Sequence, residues 1–394
     1  MALDECAAQV VPASSAAATA PPAISDDERY SRQVLFPGIR AEGQRRLSGS
    51  HVAIVGCGAL GAASASLLAR AGVGALTLID RDFVEPSNLQ RQMLFDEADA
   101  LAGLPKAEAA RRQIARFNST IRVHARIADL IPGNIAEMIP SPKDSSESPV
   151  DLILDATDNF ETRYLLNDYA VERGLPWIYA AAIGGYAATM NILPRSAAAN
   201  LEPRPSALEP GPTACLACIF PKPPSGNVET CDTAGILSTA VNLAASLQVT
   251  EALKLLTGQP HLMRRTLVSF ELWNPANGAT LERSEIAAGT PRADCEVCAH
   301  RIFTHLGGAN RAHITLCGRD SVQIHEHHRP IDFAAMRARL AANADVSDLR
   351  CNDLLLRFRR GPHTVTVFAD GRAIVQGTTD ITIARTLYAR FVGA

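Results

Sequence analysis

The sequence has no excess of either charge: 38 Lys and Arg face 41 Asp and Glu, a net charge of −3. A nucleic-acid or anionic-membrane binder needs a basic field, so neither partner is expected. Nor is the balance acidic enough for a disordered solvating chain. No apolar run reaches the roughly 20 residues of a membrane helix. The richest stretch, His51 to Asp80, is broken by glycines and ends in charge. The amino terminus, Met1-Ala-Leu-Asp-Glu5, lacks the positive charge of a secretory signal, which argues for a cytoplasmic protein. No internal repeat is found. The cysteines are few and odd in number, nine, and four of them form two Cys-x-x-Cys pairs. In a long intracellular chain that pattern favours metal or redox chemistry over structural disulfides.

What is present describes a globular chain of two domains, with 394 residues, 47% hydrophobic and 20% charged. Residues 1–25 are rich in Ala, Pro and Ser and are expected to form a disordered tail. Ser25 to Gly49 reads as partly helical, with a loop at Pro37-Gly38. A βαβ pattern starts at the β-branched run His51 to Val55. Its helix runs from Leu60 to Ala71, and Ala75 to Asp80 is the second strand. Further strands are expected at Ile121–Ile127, Asp151–Ala156, Trp177–Ala182 and Ala187–Leu193. Helices are expected at Lys106–Phe117, at Phe160–Arg173 with Gly174 as its stop, and at Ile236–Leu256. After Cys298 the character changes. His313–His325 reads as one strand or a pair, Asp332–Ala342 and Ile381–Phe391 as helices, and His363–Gly377 as a hairpin turning at Asp370-Gly371. The expected architecture is an α/β domain over 26–300 and a small α+β domain over 301–394. The first is a Rossmann-like, mostly parallel sheet with helices on both faces, an antiparallel extension and zinc knuckles.

Gly56-x-Gly58-x-x-Gly61 lies after a strand and before a helix, where glycines permit a tight turn and close approach of backbone N–H groups to phosphate. Asp80 ends the next strand, where an acid can bond a ribose hydroxyl. By itself this says adenine nucleotide, most commonly in an NAD-dependent oxidoreductase; glycines serving only helix–sheet packing are the plainer reading. The following residues, Ser87-Asn88-Leu-Gln-Arg91-Gln92 and Lys106, are too dense in cations and amides for hydride transfer. Nucleotidyl transfer needs them, because negative charge builds on the α-phosphate and the departing pyrophosphate.

Over residues 29–298 the chain resembles the ThiF/MoeB/HesA family, bacterial adenylyltransferases related to ubiquitin-activating enzymes. The matching strings are Arg29-Tyr-Ser-Arg32-Gln33, the glycine loop, Asp80, Ser87 to Gln92, Gly103-x-Pro-Lys106, Thr157-Asp158-Asn159, Cys231-x-x-Ala-Gly235 and the paired Cys-x-x-Cys. The resemblance implies ATP-dependent adenylylation of the terminal Gly-Gly of a ubiquitin-like sulfur-carrier protein, in thiamine or molybdopterin biosynthesis, with a persulfide protein as sulfur donor. It implies that Arg91 and Lys106 hold the triphosphate and that Ser87, Asn88 and Asn159 line the nucleotide site. Asp80 would take the ribose, and Asp158 would hold Mg²⁺. Arg32 would act as an arginine finger across a homodimer. The family's loop often has glycine at its fourth position, where this chain has Ala59; the methyl group costs little if φ stays negative.

Asp158 follows a buried strand at the carboxyl edge where open α/β sheets bind ligands, which suits a Mg²⁺ ligand. With Glu161 it also reads as a helix capping box. Cys215-x-x-Cys218 and Cys295-x-x-Cys298 are knuckles that together close a tetrahedral Zn²⁺ site, tying two segments together across the long helix. Cys231 precedes a helix start, which favours a reactive thiolate. The family's matching cysteine can bond covalently to the carrier, and a cysteine that merely caps or packs is the alternative. Cys57 reads as a small core residue, Cys317 and Cys351 as buried strand residues. No rhodanese-like loop surrounds Cys317 or Cys351. The C-terminal strings resemble an extension on some bacterial ThiF-type proteins, for which a binding or docking role is expected.

Overall fold

The computed structural model describes residues 24–144, 148–195, 211–223, 234–273, 281–307, 313–316, 321–324 and 330–392. Three helices, α1 to α3 (Asp26–Arg29, Ser31–Val34 and Arg40–Gly49), lead into β1 (His51–Val55). Then come α4 (Ala59–Ala71), β2 (Ala75–Ile79), α5 (Glu97–Ala102), α6 (Lys106–Phe117), β3 (Arg122–Arg126), α7 (Ile135–Met138), β4 (Leu152–Asp155) and α8 (Phe160–Arg173). An antiparallel extension follows, made of β5 (Trp177–Ile183), β6 (Tyr186–Ile192), β7 (Thr266–Glu271) and β8 (Glu282–Ala287). Between β6 and β7 lie α9 (Leu216–Ile219) and the long α10 (Ser238–Leu256).

The eight strands form one sheet in the order β3-β2-β1-β4-β5-β6-β7-β8, parallel from β3 to β5. Side chains alternate along β1. Val52 and Ile54 point into a core shared with α4, α6 and α10, while Ala53 and Val55 point into a second core shared with α8 and the cysteine knuckles. Helices therefore cover both faces, as a parallel sheet with continuous apolar strands requires. The strand order reverses at β1, so the crevice between the carboxyl ends of β1 and β4 is the topological switch point. A buried amide on α10 and a buried hydroxyl on α4 brace that crevice. Gln248 donates to the carbonyls of Asp155 (2.9 Å) and Ile178 (2.8 Å), and its own oxygen accepts from Ser64.

A second, wholly antiparallel sheet has the order β11-β12-β13-β14-β10-β9. Its strands are β9 (His313–Leu316), β10 (Ser321–Ile324), β11 (Ser347–Cys351), β12 (Leu355–Arg360), β13 (His363–Phe368) and β14 (Ala373–Gln376). Helices α11 (Phe333–Ala341) and α12 (Ile381–Phe391) pack on one face around Phe358, Tyr388 and Phe391. The hairpin expected at 363–377 is β13–β14, with Gly371 at φ 86° in its turn. Strands β7, β8, β11 and β12 are additions to the sequence reading. Cys351 lies on an edge strand and is only half-buried.

Candidate active site

The glycine loop forms the floor of the switch-point crevice. Gly56 has φ 92°, and a Cβ there would lie 2.5 Å from the Ala156 carbonyl oxygen. A Cβ on Gly61 would lie 1.8 Å from the Gly56 carbonyl oxygen, so Gly61 lets α4 close onto the loop. Gly58 is different, since a Cβ there would meet nothing within 4 Å. Its backbone faces open space at the amino end of a 13-residue helix, where N–H groups favour an anion. Ala59 begins α4 and is not among the residues with positive φ, so its methyl group is accommodated without strain. Cys57 is fully buried, as expected.

Above this floor opens a cavity of about 510 Å³, within the roughly 300–1,000 Å³ usual for small-molecule sites. Gly56, Gly58, Ala59, Asp80, Arg91, Lys106, Asp158 and Asn159 all line it, although they come from five separate stretches of chain. Lys106 is 3% exposed, and its Nζ donates to Asp82 Oδ2 at 3.2 Å. Its backbone N–H donates to the Asp82 carbonyl at 2.8 Å, which fixes where α6 starts. Arg91 Nη1 donates to the Ser87 carbonyl at 2.8 Å. Asp80 accepts from the backbone N–H of Cys57 (2.6 Å) and of Asp82 (2.7 Å), locking the glycine loop to the end of β2. Burial pushes its carboxyl above the ordinary range, and the Lys106 ammonium opposes that shift.

On the opposite wall the helix cap resolves one ambiguity of the sequence. Asn159, in extended conformation, caps α8 by accepting from the Thr162 N–H at 2.8 Å. The cap therefore falls one residue after Asp158, at Asn159. Beneath Asp158, Arg163 Nε donates to Asp155 Oδ2 at 3.0 Å, and its Nη2 donates to the Thr157 carbonyl at 2.7 Å. Arg163 and Asp155 are both buried. Burial works against the guanidinium charge, but the Asp155 carboxylate outweighs it and holds Arg163 above its ordinary value.

Four expected site residues fall outside this cavity wall. Ser87 is exposed, and neither it nor Asn88 is a lining residue. Asn88 is buried and accepts from the Glu85 N–H at 3.1 Å, capping a short 3-10 turn. Gly61 acts by packing, one shell back. Arg32 is exposed on α2, away from the cavity of its own chain. Cys231 lies outside the described residues. The sequence reading missed Asp82, Asp129, Arg163 and Tyr179, which also line the cavity. Arg163 carried one signal, its position on the first turn of the helix that follows Asp158. A second, open groove along Gly184, Gly185, Glu271 and Trp273 meets the cavity at Ile236.

The four knuckle cysteines converge on the sheet face opposite α10. All four sulfurs lie within 4.8 Å of one another. Sγ separations are 3.8 Å for Cys215–Cys218, 3.6 Å for Cys215–Cys295 and 3.4 Å for Cys218–Cys298. A tetrahedron with metal–sulfur bonds of about 2.3 Å has edges of about 3.8 Å, so the donor set fits Zn²⁺. Hydrogen bonds from neighbouring thiols and from the Arg292 N–H hold the Cys218 thiol far below its ordinary range. Asn167 braces the cluster from α8, accepting from the Leu216 N–H at 2.9 Å. No helix among the described residues is long and apolar enough to cross a membrane.

The comparisons agree with this geometry. The chain is 40% identical over 369 residues to the sulfur carrier protein ThiS adenylyltransferase of Bacillus subtilis (strain 168), covering 93% of this chain and 99% of that protein. It is 37% identical over 238 residues to the probable adenylyltransferase/sulfurtransferase MoeZ of Mycobacterium tuberculosis (strain ATCC 25618 / H37Rv), covering 60% of this chain and 55% of that one. Its fold is shared with E. coli MccB, with a TM-score of 0.54 at 21% identity over 70% of this chain and 73% of that one. The ThiF family profile matches residues 30–297, and the chain belongs to the ThiF family.

Proposed function

We propose that this chain uses ATP to adenylylate the C-terminal glycine of a ubiquitin-like sulfur-carrier protein, preparing it for sulfur transfer. The observation that carries this reading is the convergence of the glycine loop, Arg91, Lys106 and Asp158 on one cavity at the switch point. The ThiS adenylyltransferase relative supports the substrate class. The carrier carboxylate attacks the α-phosphorus and pyrophosphate leaves. Arg91 and Lys106 meet the negative charge that builds on the phosphates, and Asp80 takes the ribose. Asp158, one residue before the helix cap at Asn159, would hold Mg²⁺, which neutralises phosphate charge when bound. The groove that joins the cavity at Ile236 runs along Gly184-Gly185 and would take the carrier's extended Gly-Gly tail.

The site residues otherwise keep the roles that the family resemblance gives them. The chain acts as a homodimer in which exposed Arg32 serves the partner's site. Cys231 bonds covalently to the carrier, and a persulfide protein supplies the sulfur. The four cysteines hold one structural Zn²⁺, which leaves no open position for catalysis. The adenylyltransferase domain spans 26–300 and the C-terminal domain 301–394, and the protein works in the cytoplasm. The reading is tested by exchange of labelled pyrophosphate into ATP. Exchange should require Mg²⁺ and a Gly-Gly carrier, and Asp158→Ala should abolish it while the fold is kept. Undiminished exchange in that variant refutes the magnesium assignment.

A further inference from the structure

The C-terminal sheet presents its second face to the adenylyltransferase domain, and the contact falls on two particular loops. Phe83, in the loop after β2, packs with Leu355, Phe368 and Ile374 of the C-terminal sheet, and Ile127, after β3, joins them. Both loops also build the cavity. Arg81 and Asp82 immediately precede Phe83, and Ala128, Asp129 and Leu130 immediately follow Ile127; all five line the cavity. The C-terminal domain thus grips the cavity wall from behind.

Arginines, with Asn352 donating to the Ala102 carbonyl at 3.3 Å, make the polar part of this grip. Arg372, in the β13–β14 turn, is 2% exposed. Its Nη2 donates to the Ile127 carbonyl at 2.7 Å, one residue from the cavity lining. Its guanidinium stacks 4.0 Å over the Phe368 ring and lies 3.7 Å from Asp370. Burial pulls its affinity for a proton down, while Asp370, Asp129 and Asp82 attract the charge and Arg81 opposes it. An arginine stays charged regardless, so a buried cation of the C-terminal domain belongs to the field of the cavity rim, where Arg81 and Asp129 are paired at 2.9 Å. Arg357 reinforces the contact, 4.4 Å over the Phe83 ring and 4.0 Å from Glu85. A solvated docking module does not need a fully buried arginine on a carbonyl. A wall that must hold its shape against a bound nucleotide does.

We propose that the C-terminal domain is a brace for the nucleotide cavity and that Arg372 is a positioning residue, holding the Ile127–Leu130 wall in its nucleotide-binding shape. The inference rests on the nucleotide-site reading above. Binding is reciprocal, so nucleotide in the cavity must also tighten domain docking.

Calorimetric titration of the full-length protein with ATP·Mg²⁺ tests this without requiring turnover. Arg372→Met should raise the ATP dissociation constant about tenfold, the scale of one charge-assisted hydrogen bond. Affinity for the carrier protein should stay unchanged. Arg372→Lys, which keeps the charge and a donor, should return ATP affinity to within about threefold of wild type. If Arg372→Met fails to fold, half-exposed Arg357→Ala decides, with an expected loss of about threefold. Wild-type protein that does not bind ATP overturns the site reading and the brace with it. Wild-type protein that binds ATP while a folded Arg372→Met, or in its place Arg357→Ala, binds equally well overturns the brace alone. Equal loss of ATP and carrier affinity also overturns it, since that reports general damage.

Discussion

Removing the metal from the cysteine cluster should destabilise the adenylyltransferase domain by an amount that can be worked from the fold. The sulfurs need little movement to bind Zn²⁺, because three of their separations, 3.4–3.8 Å, match the edge of a tetrahedral site and all lie within 4.8 Å. Zinc then joins residues 80 apart in sequence. Closing a loop of that length removes about 4.5 kcal/mol of chain entropy from the unfolded state on the cross-link model. This is a lower bound, since structural zinc contributes roughly 10–16 kcal/mol of apparent binding energy in zinc-finger peptides. Even the lower bound is a large part of a domain's usual 5–15 kcal/mol, and corresponds to a fall in Tm of about 8 °C for a unit of this size. Cys295→Ser should therefore lose its zinc and melt at least that much lower, and 1,10-phenanthroline should bring wild type down to match. The assays are elemental analysis of the purified protein and scanning calorimetry. Metal-free wild-type protein, or a Cys295→Ser variant melting within about 2 °C of wild type, refutes the structural role.

Other perturbations separate packing, titration and assembly. Gly61→Ala should cost about 3 kcal/mol or more by driving a methyl group into the Gly56 carbonyl. Gly58→Ala, with open space around it, should melt as wild type yet bind ATP more weakly; equal melting of the two variants contradicts the division of labour in the loop. Burial lowers the pKa of His51 from 6.5, so its neutral form is favoured in the fold, accepting from Thr77 and donating to the Ser148 carbonyl. Its stabilisation is present above pH 6.5 and is lost as pH falls further. His124, held low by burial in the same way, has the same sign. Tm should decline below pH 6.5, with a flatter profile in His51→Gln; a profile with the opposite slope in wild type overturns the assignment. Mixing Arg32→Ala with Asp158→Ala protein should restore up to about a quarter of wild-type activity, because half of randomly exchanged dimers carry one good site in two. No recovery despite proven exchange keeps Arg32 in its own chain's site.

Local signals were legible in the sequence where one residue decides the outcome. Gly174, in the left-handed conformation, stops α8 at Arg173 as expected, and the turn at Asp370-Gly371 closes its hairpin. The glycine loop could be placed because only glycine tolerates contacts as close as those of Gly56 and Gly61. Strands β8 and β11 left no such mark. Glu282-Arg-Ser-Glu-Ile-Ala287 and Ser347-Asp-Leu-Arg-Cys351 are sheet edges, largely solvent-facing and charged, so neither an apolar run nor a clean alternation announces them. That Asn159 and not Asp158 caps the helix turns on one residue's backbone angles, which spacing does not encode. Long-range pairs were invisible for a similar reason. Nothing near Lys106 points to Asp82, 24 residues earlier, as its partner, and nothing near Asp155 points to Gln248, 93 residues away.

Those hidden pairs explain how a site so rich in cations is stable before its ligand arrives. A buried ammonium without a counter-charge would be expelled or deprotonated. Asp82 supplies that charge for Lys106, Asp155 for Arg163, and Asp129 for Arg81. Each acid stands at or just beyond the carboxyl end of a strand: Asp82 after β2, Asp129 after β3 and Asp155 closing β4. The sheet therefore fixes the acids, and the acids fix the cations. On the proposed reading, preorganisation of this kind would place positive charge where phosphate charge develops and leave little reorganisation for the reaction itself. It also explains why the crevice is built on the parallel half of the sheet. Parallel strands bring successive carboxyl ends to the same edge, and only there can acids from β2, β3 and β4 share one rim.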